Sequence, residues 1–487
     1  MTLGTRRKRS ARAIPCILSA TVTCAVINIL SYHYSTREHS RIFLKDFLAA
    51  SRNAHTVRTA FNFPKTKASP KNMTLQPAPA LHLIFSTDCT KYQETESYIL
   101  FHSALRLKQP GTMTRIASGC SAEEQEKTQH WHDQHVSRGL DPNYFIHFTP
   151  DFSKLKRNGK IVNYPYMNKP GGLLHWFEHG NTTGFHMRDG SFDENAVIFL
   201  LDPDHILVRK LGHEFYSAST ITSGSSREIL EKYQYLTVDH GRPFGQSYEV
   251  YMGNTWITFN ISRIAGEQSP ARKVTQDEAL DFYPVGPPYI ATGRDMYQIA
   301  EKWKDFTPRV YDEYPKLLAE MYGYSIAAAH LQLPHIKVEH LGVSQTNAQP
   351  NLEGWSDIDN LEDDFCTDPF PERNSLPSIL HYCQRYMISE WFFGKRKIFQ
   401  NLPYQFLSCG SPLLATPPKD LPKARYQIKP PGQGEKNYRV SREELKREAY
   451  MICAITNATN AAALHFKDHA CGSDANMKNT LNLYSLF

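Results

Sequence analysis

The sequence lacks the broad excess of positive charge that is typical of nucleic-acid-binding proteins. Its net charge at pH 7 is +6, and five basic residues with no acid lie within residues 1–12, so the rest of the chain carries only +1. We therefore expect no nucleic-acid partner. The 487 residues, 41% hydrophobic and 12% aromatic, indicate a globular protein with one large domain or two or three smaller ones.

Cysteine clusters of the CxxC type are also missing, which argues against a zinc-binding fold. The cysteines that follow residue 35 are Cys89, Cys120, Cys366, Cys383, Cys409, Cys453 and Cys471. Disulfides are the favoured interpretation, and the odd number leaves at least one thiol unpaired within the chain. Disulfides fit a secretory compartment, and four N-x-S/T sequons point weakly the same way. These candidate glycosylation sites are Asn72, Asn181, Asn260 and Asn457.

Long apolar runs are scarce, and only residues 14–34 approach the length of a membrane span. The basic flank before this run predicts a cytoplasmic tail at 1–13, a single-pass signal anchor at 14–34 and a luminal remainder. A cleaved signal peptide is the alternative, but no small-residue cleavage site is evident after Leu30.

The segment after the anchor is polar, basic and rich in proline, so residues 35–79 are interpreted as a stem. Residues 80–400 are predicted to form the main globular domain. Residues 401–487 form a C-terminal extension with a proline-rich segment and one helix. A capping-box pattern at Ser441 predicts the start of that helix, which should run to about His465.

The main domain shows strand patterns that alternate with helix patterns. A strand is predicted from Leu81, a helix over residues 92–107, and short strands over 114–117 and 144–148. Asn168 is predicted as the N-cap of a helix that reaches Glu178, and a strand follows through Leu201. The alternation predicts an α/β fold with a largely parallel sheet that binds ligands at the carboxyl ends of its strands.

The stretch VIFLLDPDHIL ends an apolar strand pattern with two aspartates. Asp202 and Asp204 are two residues apart, so in an extended segment both side chains face the same way and can hold one cation. Asp-Pro-Asp is also common turn chemistry. From the residues alone, the turn and the cation site are about equally favoured.

Three further residues are candidates for the chemistry of a site. His381 is a possible metal ligand, although a structural role is the more common one for a histidine. Glu320 lies in an apolar helix pattern, where a carboxylate must either be paired or face a cleft. Lys169 lies beside Pro170-Gly171-Gly172 at a predicted helix start, where it could meet a phosphate, although glycines are common at such junctions.

Taken in order, these segments resemble a known family, the peptidyl serine α-galactosyltransferases and related hydroxyproline O-arabinosyltransferases of plants and green algae. The resemblance covers about residues 80–400. From its residues alone, VGPPYI is interpreted as a rigid apolar turn that could line an acceptor groove or merely pack. The motifs that carry it are STDC (86–89), YPYMNKPGGLLHWFE (164–178), VIFLLDPDHIL (197–207), VGPPYI (285–290), LLAEMYGYSIAAAH (317–330) and LHYCQRY (380–386).

The resemblance implies a GT-A-like nucleotide-diphosphosugar fold and a Golgi membrane protein of type II. It also implies a manganese-dependent (Mn2+) glycosyltransferase that uses a UDP-sugar donor and retains the anomeric configuration. The acceptor would be a serine or hydroxyproline hydroxyl of a secreted glycoprotein, and the sugar galactose or arabinose.

Residue by residue, the resemblance implies that Asp202 and Asp204 hold the metal and the diphosphate, with His381 as a further metal ligand. Glu320 is the candidate catalytic carboxylate, which would orient the acceptor. The candidate donor-binding residues are Ser86, Thr87, Asp88, Lys169 and Lys395, the last in the GKRK run after His381.

Two other functions remain open. One is a luminal sugar- or peptide-binding protein without turnover, for which a metal and diphosphate site would be unnecessary. The other is a metal-dependent nucleotide-sugar hydrolase, which would release sugar phosphate rather than UDP and a glycoside.

Overall fold

The computed structural model describes residues 78–157, 159–348, 353–372, 376–395, 406–424 and 441–483. The predicted tail and anchor, nearly all of the predicted stem and the sequon at Asn72 lie outside this part of the chain. Within it, no helix is both long and apolar enough to cross a membrane.

The strands and helices alternate along most of the described chain. The strands are β1 (Leu81–Thr87), β2 (Thr112–Ser118), β3 (Tyr144–Thr149), β4 (Lys154–Arg157), β5 (Lys160–Asn163), β6 (Val197–Leu201), β7 (His205–Leu207), β8 (Glu214–Tyr216), β9 (Tyr235–Thr237), β10 (Phe244–Ser247), β11 (Val285–Thr292), β12 (Ile336–Val338), β13 (Gly342–Val343), β14 (Ile379–His381), β15 (Arg385–Ile388), β16 (Trp391–Gly394), β17 (Leu413–Leu414) and β18 (Thr480–Leu481). The α-helices are α1 (Lys91–Leu107), α2 (Ala122–His132), α3 (Asn168–His179), α4 (Gly224–Tyr233), α5 (Glu249–Met252), α6 (Ile261–Ala265), α7 (Gln276–Phe282), α8 (Gly293–Glu313), α9 (Ala319–His330), α10 (Ser356–Asp359) and α11 (Arg442–Ala470).

The core is a seven-stranded sheet with the strand order β12-β10-β11-β6-β1-β2-β3. Parallel pairing joins β6 to β1, β1 to β2, β2 to β3, and β10 to β12. Only β11 runs against its neighbours β6 and β10. The prediction of an α/β protein with a mostly parallel sheet is confirmed.

The sheet has a topological switch point between β1 and β6. From β1 the chain adds β2 and then β3 on one side, and it later places β6 on the other side of β1. Connections that leave in opposite directions open a crevice at the carboxyl ends of two neighbouring strands. Here those ends are Thr87 and Leu201, so the residues that follow them face the same crevice.

Two local predictions from the sequence are wrong. VGPPYI is not a turn but the first part of β11, buried at every position. The ladder pairs Gln246 with Gly286 and Gly245 with Tyr289, so the two prolines between them lie in a β-bulge, where their missing N–H groups cost no hydrogen bond. Asn168 is the first residue of α3 rather than its N-cap, since its side chain accepts from the backbone N–H of Phe152 at 2.8 Å.

The C-terminal helix α11 begins where the capping pattern predicts. The Ser441 hydroxyl accepts from the N–H of Glu444 at 3.1 Å, and the helix reaches Ala470, a few residues beyond the predicted end. The helix packs on α1 and β15. The disulfides are Cys89–Cys120, Cys366–Cys453 and Cys409–Cys471. Cys383 is in no disulfide, which confirms the prediction of an unpaired thiol.

Candidate active site

The aspartate pair lies directly after β6, at the edge of the sheet that the topology opens. All of β6 is buried, so the strand delivers Asp202 to its carboxyl end. The segment then turns, because the N–H of His205 donates to the carbonyl of Asp202 at 3.2 Å. The extended geometry expected for the two aspartates is therefore wrong. Asp-Pro-Asp thus forms a turn, and the same turn carries the two charged side chains of the candidate site.

Each aspartate is paired with a lysine from another part of the chain. Lys169 Nζ, at the start of α3, lies 2.7 Å from Asp202 Oδ1. Lys395 Nζ lies 2.5 Å from Asp204 Oδ2. Burial opposes ionisation of both carboxyls, but the ammonium groups outweigh it and hold the pKa of Asp202 below its ordinary value and that of Asp204 well below it.

Two histidines lie next to the aspartates on neighbouring strands. In the antiparallel pair β7 and β14, His205 is directly opposite His381, and their ring centroids are 4.7 Å apart. His381 Nε2 lies 3.4 Å from Asp204 Oδ1 and 4.0 Å from Asp202 Oδ2. Its Nδ1 is 3.0 Å from the hydroxyl of Tyr248, which fixes the ring.

The pKa values of the two histidines are shifted in opposite directions. Burial lowers the pKa of His205 to about 3, so its imidazole is neutral. Burial also acts on His381, but Cys383 and Asp204 outweigh it and raise the pKa of His381 well above its ordinary value. His205 was not among the residues predicted from sequence, although it directly follows the Asp-Pro-Asp motif.

Glu320 lies on the Lys169 side of the cluster. It is in the first turn of α9 and only 2% exposed, with Oε1 3.8 Å from Lys169 Nζ. Burial outweighs the attraction of Lys169 and raises the pKa of Glu320 to about 7. Neither Glu320 Oε1 nor the nearby hydroxyl of Tyr289 makes a hydrogen bond among the described residues.

A second buried carboxylate, not predicted from sequence, lies on the Lys395 side. Glu96 of α1 is fully buried, with Oε1 4.0 Å from Lys395 Nζ. Burial, only partly offset by Lys395, raises the pKa of Glu96 to about 8. The sequence does not mark Glu96, because it lies in the polar run from Gln93 to Ser97, whose burial only the fold shows.

The residues at the end of β1 lie at the same edge of the sheet, and some of their side chains already make hydrogen bonds within the chain. Thr87 Oγ1 accepts from Arg115 Nε at 2.9 Å and donates to the carbonyl of Ile116 at 3.2 Å. Asp88 Oδ1 accepts from the N–H of Thr90 at 2.8 Å. Ser86 is half-buried. The predicted donor contacts of Ser86, Thr87 and Asp88 stay predictions.

The sequons within the described chain are at the surface. Asn181, Asn260 and Asn457 are exposed. The side chain of Asn260 also accepts from the N–H of Arg263 at 3.0 Å. Their use as glycosylation sites stays a prediction.

The fold and the site together define an α/β protein with a carboxylate–histidine cluster at the switch point of its sheet. Among the described residues, one trio of metal-ligand type has its ligand atoms all within 4.8 Å of one another, namely Asp202, His205 and His381. The donor set of this cluster suits a divalent cation.

Two curated proteins, both named peptidyl serine alpha-galactosyltransferase, are similar to this chain. The one from Arabidopsis thaliana is 28% identical over 273 residues, which are 53% of this chain and 27% of the relative. The one from Chlamydomonas reinhardtii is 27% identical over 129 residues, which are 26% of this chain and 14% of the relative. The resemblance predicted from the motifs is confirmed, and both names agree with the predicted class of enzyme, a glycosyltransferase. The chain spans about a quarter or less of the length of these relatives.

No family model matches the chain. Solved structures with some likeness include the apo structure of the bifunctional glycosyltransferase WbbM, at 14% identity and a TM-score of 0.33 over 64% of this chain and 47% of that one. The galactosyltransferase LgtC, in complex with donor and acceptor sugar analogues, is 12% identical with a TM-score of 0.34 over 62% of this chain and 87% of that one. Such low TM-scores support no argument about ligand or reaction.

Proposed function

We propose that the protein is a GT-A-like glycosyltransferase that moves a sugar from a UDP-sugar to a hydroxyl of a secreted protein. The observation that carries the proposal is the position of Asp202 and Asp204 beside His381, at the crevice between the carboxyl ends of β1 and β6. Galactose to serine is favoured by the names of the relatives. Arabinose and hydroxyproline are the alternatives.

The residues present fit a divalent cation, and manganese is proposed because carboxylates and imidazole together suit it. Asp202, Asp204 and His381 would hold it. When bound, the cation would supply positive charge to the diphosphate that leaves as the glycosidic bond breaks.

Two lysines of the chain add to this charge. Lys169 is paired with Asp202 and Lys395 with Asp204. The side chains of the two lysines are only 15% and 20% exposed. Charges in such a poorly solvated place act more strongly than at the surface. We propose that both ammonium groups face the donor diphosphate, while Ser86 and Asp88 at the end of β1 contact the nucleoside.

Glu320 is proposed to orient the acceptor hydroxyl. Its carboxyl is buried, and Oε1 has no hydrogen-bond partner among the described residues, so an incoming hydroxyl can donate to it. A single carboxylate in this role is compatible with the proposed retention of anomeric configuration.

Attachment to the Golgi membrane by the predicted anchor, with the catalytic domain in the lumen, remains part of the proposal. The three disulfides and the exposed sequons support a luminal domain. Protease protection in sealed vesicles tests it: cleavage of the catalytic domain without detergent would contradict the topology.

The test of function is a panel of UDP-sugars with serine- and hydroxyproline-containing peptides and manganese. We expect the wild-type protein to release UDP and glycopeptide in equal amounts. Asp202→Asn should abolish both products, whereas Asp420→Asn, a control substitution at an exposed aspartate, should not change them. Sugar phosphate as product would indicate the hydrolase, and donor or peptide binding without turnover would indicate the binding protein.

A further inference from the structure

The carboxylate–histidine cluster contains one histidine that is neither part of the Asp202/Asp204 pair nor the predicted metal ligand His381. His205 belongs to the compact trio with Asp202 and His381, whose ligand atoms lie within 4.8 Å of one another. Asp204, by contrast, is drawn to Lys395 at 2.5 Å. Among the described residues, the trio is therefore the set of side chains whose ligand atoms lie close enough together to surround one cation after small movements.

The fold gives His205 this position through strand pairing. Its partner across the antiparallel ladder of β7 and β14 is His381, and the ring planes are at 76° to each other. Directly opposed side chains on one face of a ladder are held close together by the backbone. The two imidazoles thus approach the same point without relying on flexible loops.

The imidazole of His205 also lacks firm partners. The residue is 0% exposed. Its Nε2 makes no hydrogen bond among the described residues, and its Nδ1 meets only the N–H of Asp202 at a long 3.4 Å. Buried ring nitrogens are normally satisfied, and an orphaned one costs free energy. A cation between Asp202 and His381 would satisfy one of these nitrogens.

We propose that His205 is a further direct ligand of the cation, in addition to Asp202, Asp204 and His381, so that the site supplies two imidazole nitrogens. The inference rests on the proposed function for the presence of a cation, but not for turnover. Magnesium and calcium prefer all-oxygen sites, whereas imidazole ligands select transition metals. The site is therefore selective for manganese, cobalt or zinc over magnesium and calcium.

The charged groups around the trio agree with a divalent cation. The carboxylates of Asp202 and Asp204 face it, and the ammonium groups of Lys169 and Lys395 each lie against one of them. A nitrogen ligand adds binding strength without adding negative charge. A second imidazole thus lets the cluster bind a cation without a further carboxylate.

The first test measures metal binding by the full-length, metal-stripped protein, with cobalt(II) as probe and no sugar donor present. We expect His205→Gln to weaken cobalt binding by at least about tenfold. Loss of a residue that only hydrogen-bonds to a metal ligand already costs about that much, and loss of a ligand itself should cost no less. It should also change the visible absorption of the bound cobalt. The control His82→Gln replaces another buried histidine, at the opposite end of β1 from the crevice, and should bind cobalt like the wild type.

A second measurement needs no variant and so remains decisive if His205→Gln fails to fold. Pulsed electron paramagnetic resonance of the wild-type protein with one equivalent of manganese should show nitrogen from two imidazoles. A folded His205→Gln with wild-type cobalt affinity and spectrum, or a single imidazole in the resonance, would overturn the inference. Cobalt binding that requires His205 in a protein with no transferase activity would instead contradict the proposed function alone.

Discussion

Lys395 Nζ lies between two buried carboxylates, 2.5 Å from Asp204 Oδ2 and 4.0 Å from Glu96 Oε1. One ammonium group therefore connects the aspartate motif to helix α1, and the charges of all three residues depend on one another. Removing one partner leaves the others buried without compensation, which costs more than the pair contributes. The chemical and the structural roles of Asp204 can be separated on this basis.

Asp204→Ala should abolish transfer while the protein remains folded. The proposed cation site loses a carboxylate, and Lys395 loses its nearest partner, so the free energy of unfolding should fall by about 3 kcal/mol. UDP release and urea denaturation measure the two effects. Transfer by a folded Asp204→Ala protein would contradict the role of the motif.

The double variant Asp204→Ala/Lys395→Met tests the structural part of that prediction. Methionine removes the unpaired ammonium group but keeps much of the side-chain length. Because burial raises the pKa of Glu96 to about 8, this carboxyl can stay protonated without Lys395, so most of the lost stability should return. Activity should not return, because the carboxylate is still missing. Equal stability of the single and double variants would show that the ion pair does not matter for folding.

Glu320→Gln should lower kcat by about 100-fold and leave the affinity for the UDP-sugar nearly unchanged. Glutamine fills the same space, but its neutral amide oxygen accepts a hydrogen bond from the acceptor hydroxyl more weakly than the carboxylate does. Titration calorimetry gives the donor affinity and peptide transfer gives kcat. Glu194→Gln, an exposed substitution just before the amino end of β6, is the matched control.

The pH profile supplies a further check on Glu320. Burial raises the pKa of its carboxyl to about 7. The ionised form is the better acceptor, so kcat should rise as the pH increases through about 7 and then level off. If the Glu320→Gln variant shows the same rise, another group is responsible.

The sequence was sufficient for the parts of the fold that follow local periodicity. The strand through Leu201 and the helix after Ser441 were predicted because burial patterns and caps are local properties. VGPPYI was misread, because only the pairing partners in β10 show that its prolines fall in a bulge. The strand order and the switch point are likewise properties of long-range pairing.

The candidate site divides in the same way. Asp202, Asp204 and His381 were predicted from motifs that resemble a family, and they lie together in the structure. His205 and Glu96 were not predicted. Neither stands out in its own stretch of sequence. His205 joins the site only because it pairs with His381, and Glu96 only because it lies near Lys395.

Loss of the Cys366–Cys453 disulfide should destabilise the protein. The bond spans 87 residues and ties α11 to the rest of the domain. Closing a loop of that size is worth about 4.6 kcal/mol in the chain-entropy model. Cys366→Ala/Cys453→Ala should lower the free energy of unfolding by roughly that amount, whereas Cys383→Ser, outside any disulfide, should have little effect in denaturation by urea.

Glu448 should make the stability of the protein depend on pH. This α11 residue accepts from Thr346 Oγ1 at 2.7 Å and from the N–H of Met387 at 2.8 Å. Burial outweighs these hydrogen bonds and raises its pKa from 4.5 to about 7. Between these two values the folded state binds more protons than the unfolded state, so the free energy of unfolding falls as the pH rises.

The size of this effect follows from the shift in pKa, and on the order of 3 kcal/mol should be lost between about pH 4.5 and pH 7. Glu448→Gln cannot ionise, so the variant should lose that much less stability over the same range. Urea denaturation of both proteins at about pH 5 and pH 8 measures the difference, and titration of other groups cancels between them. Parallel stability curves for the wild type and Glu448→Gln would mean that this carboxyl titrates alike in the folded and unfolded chains.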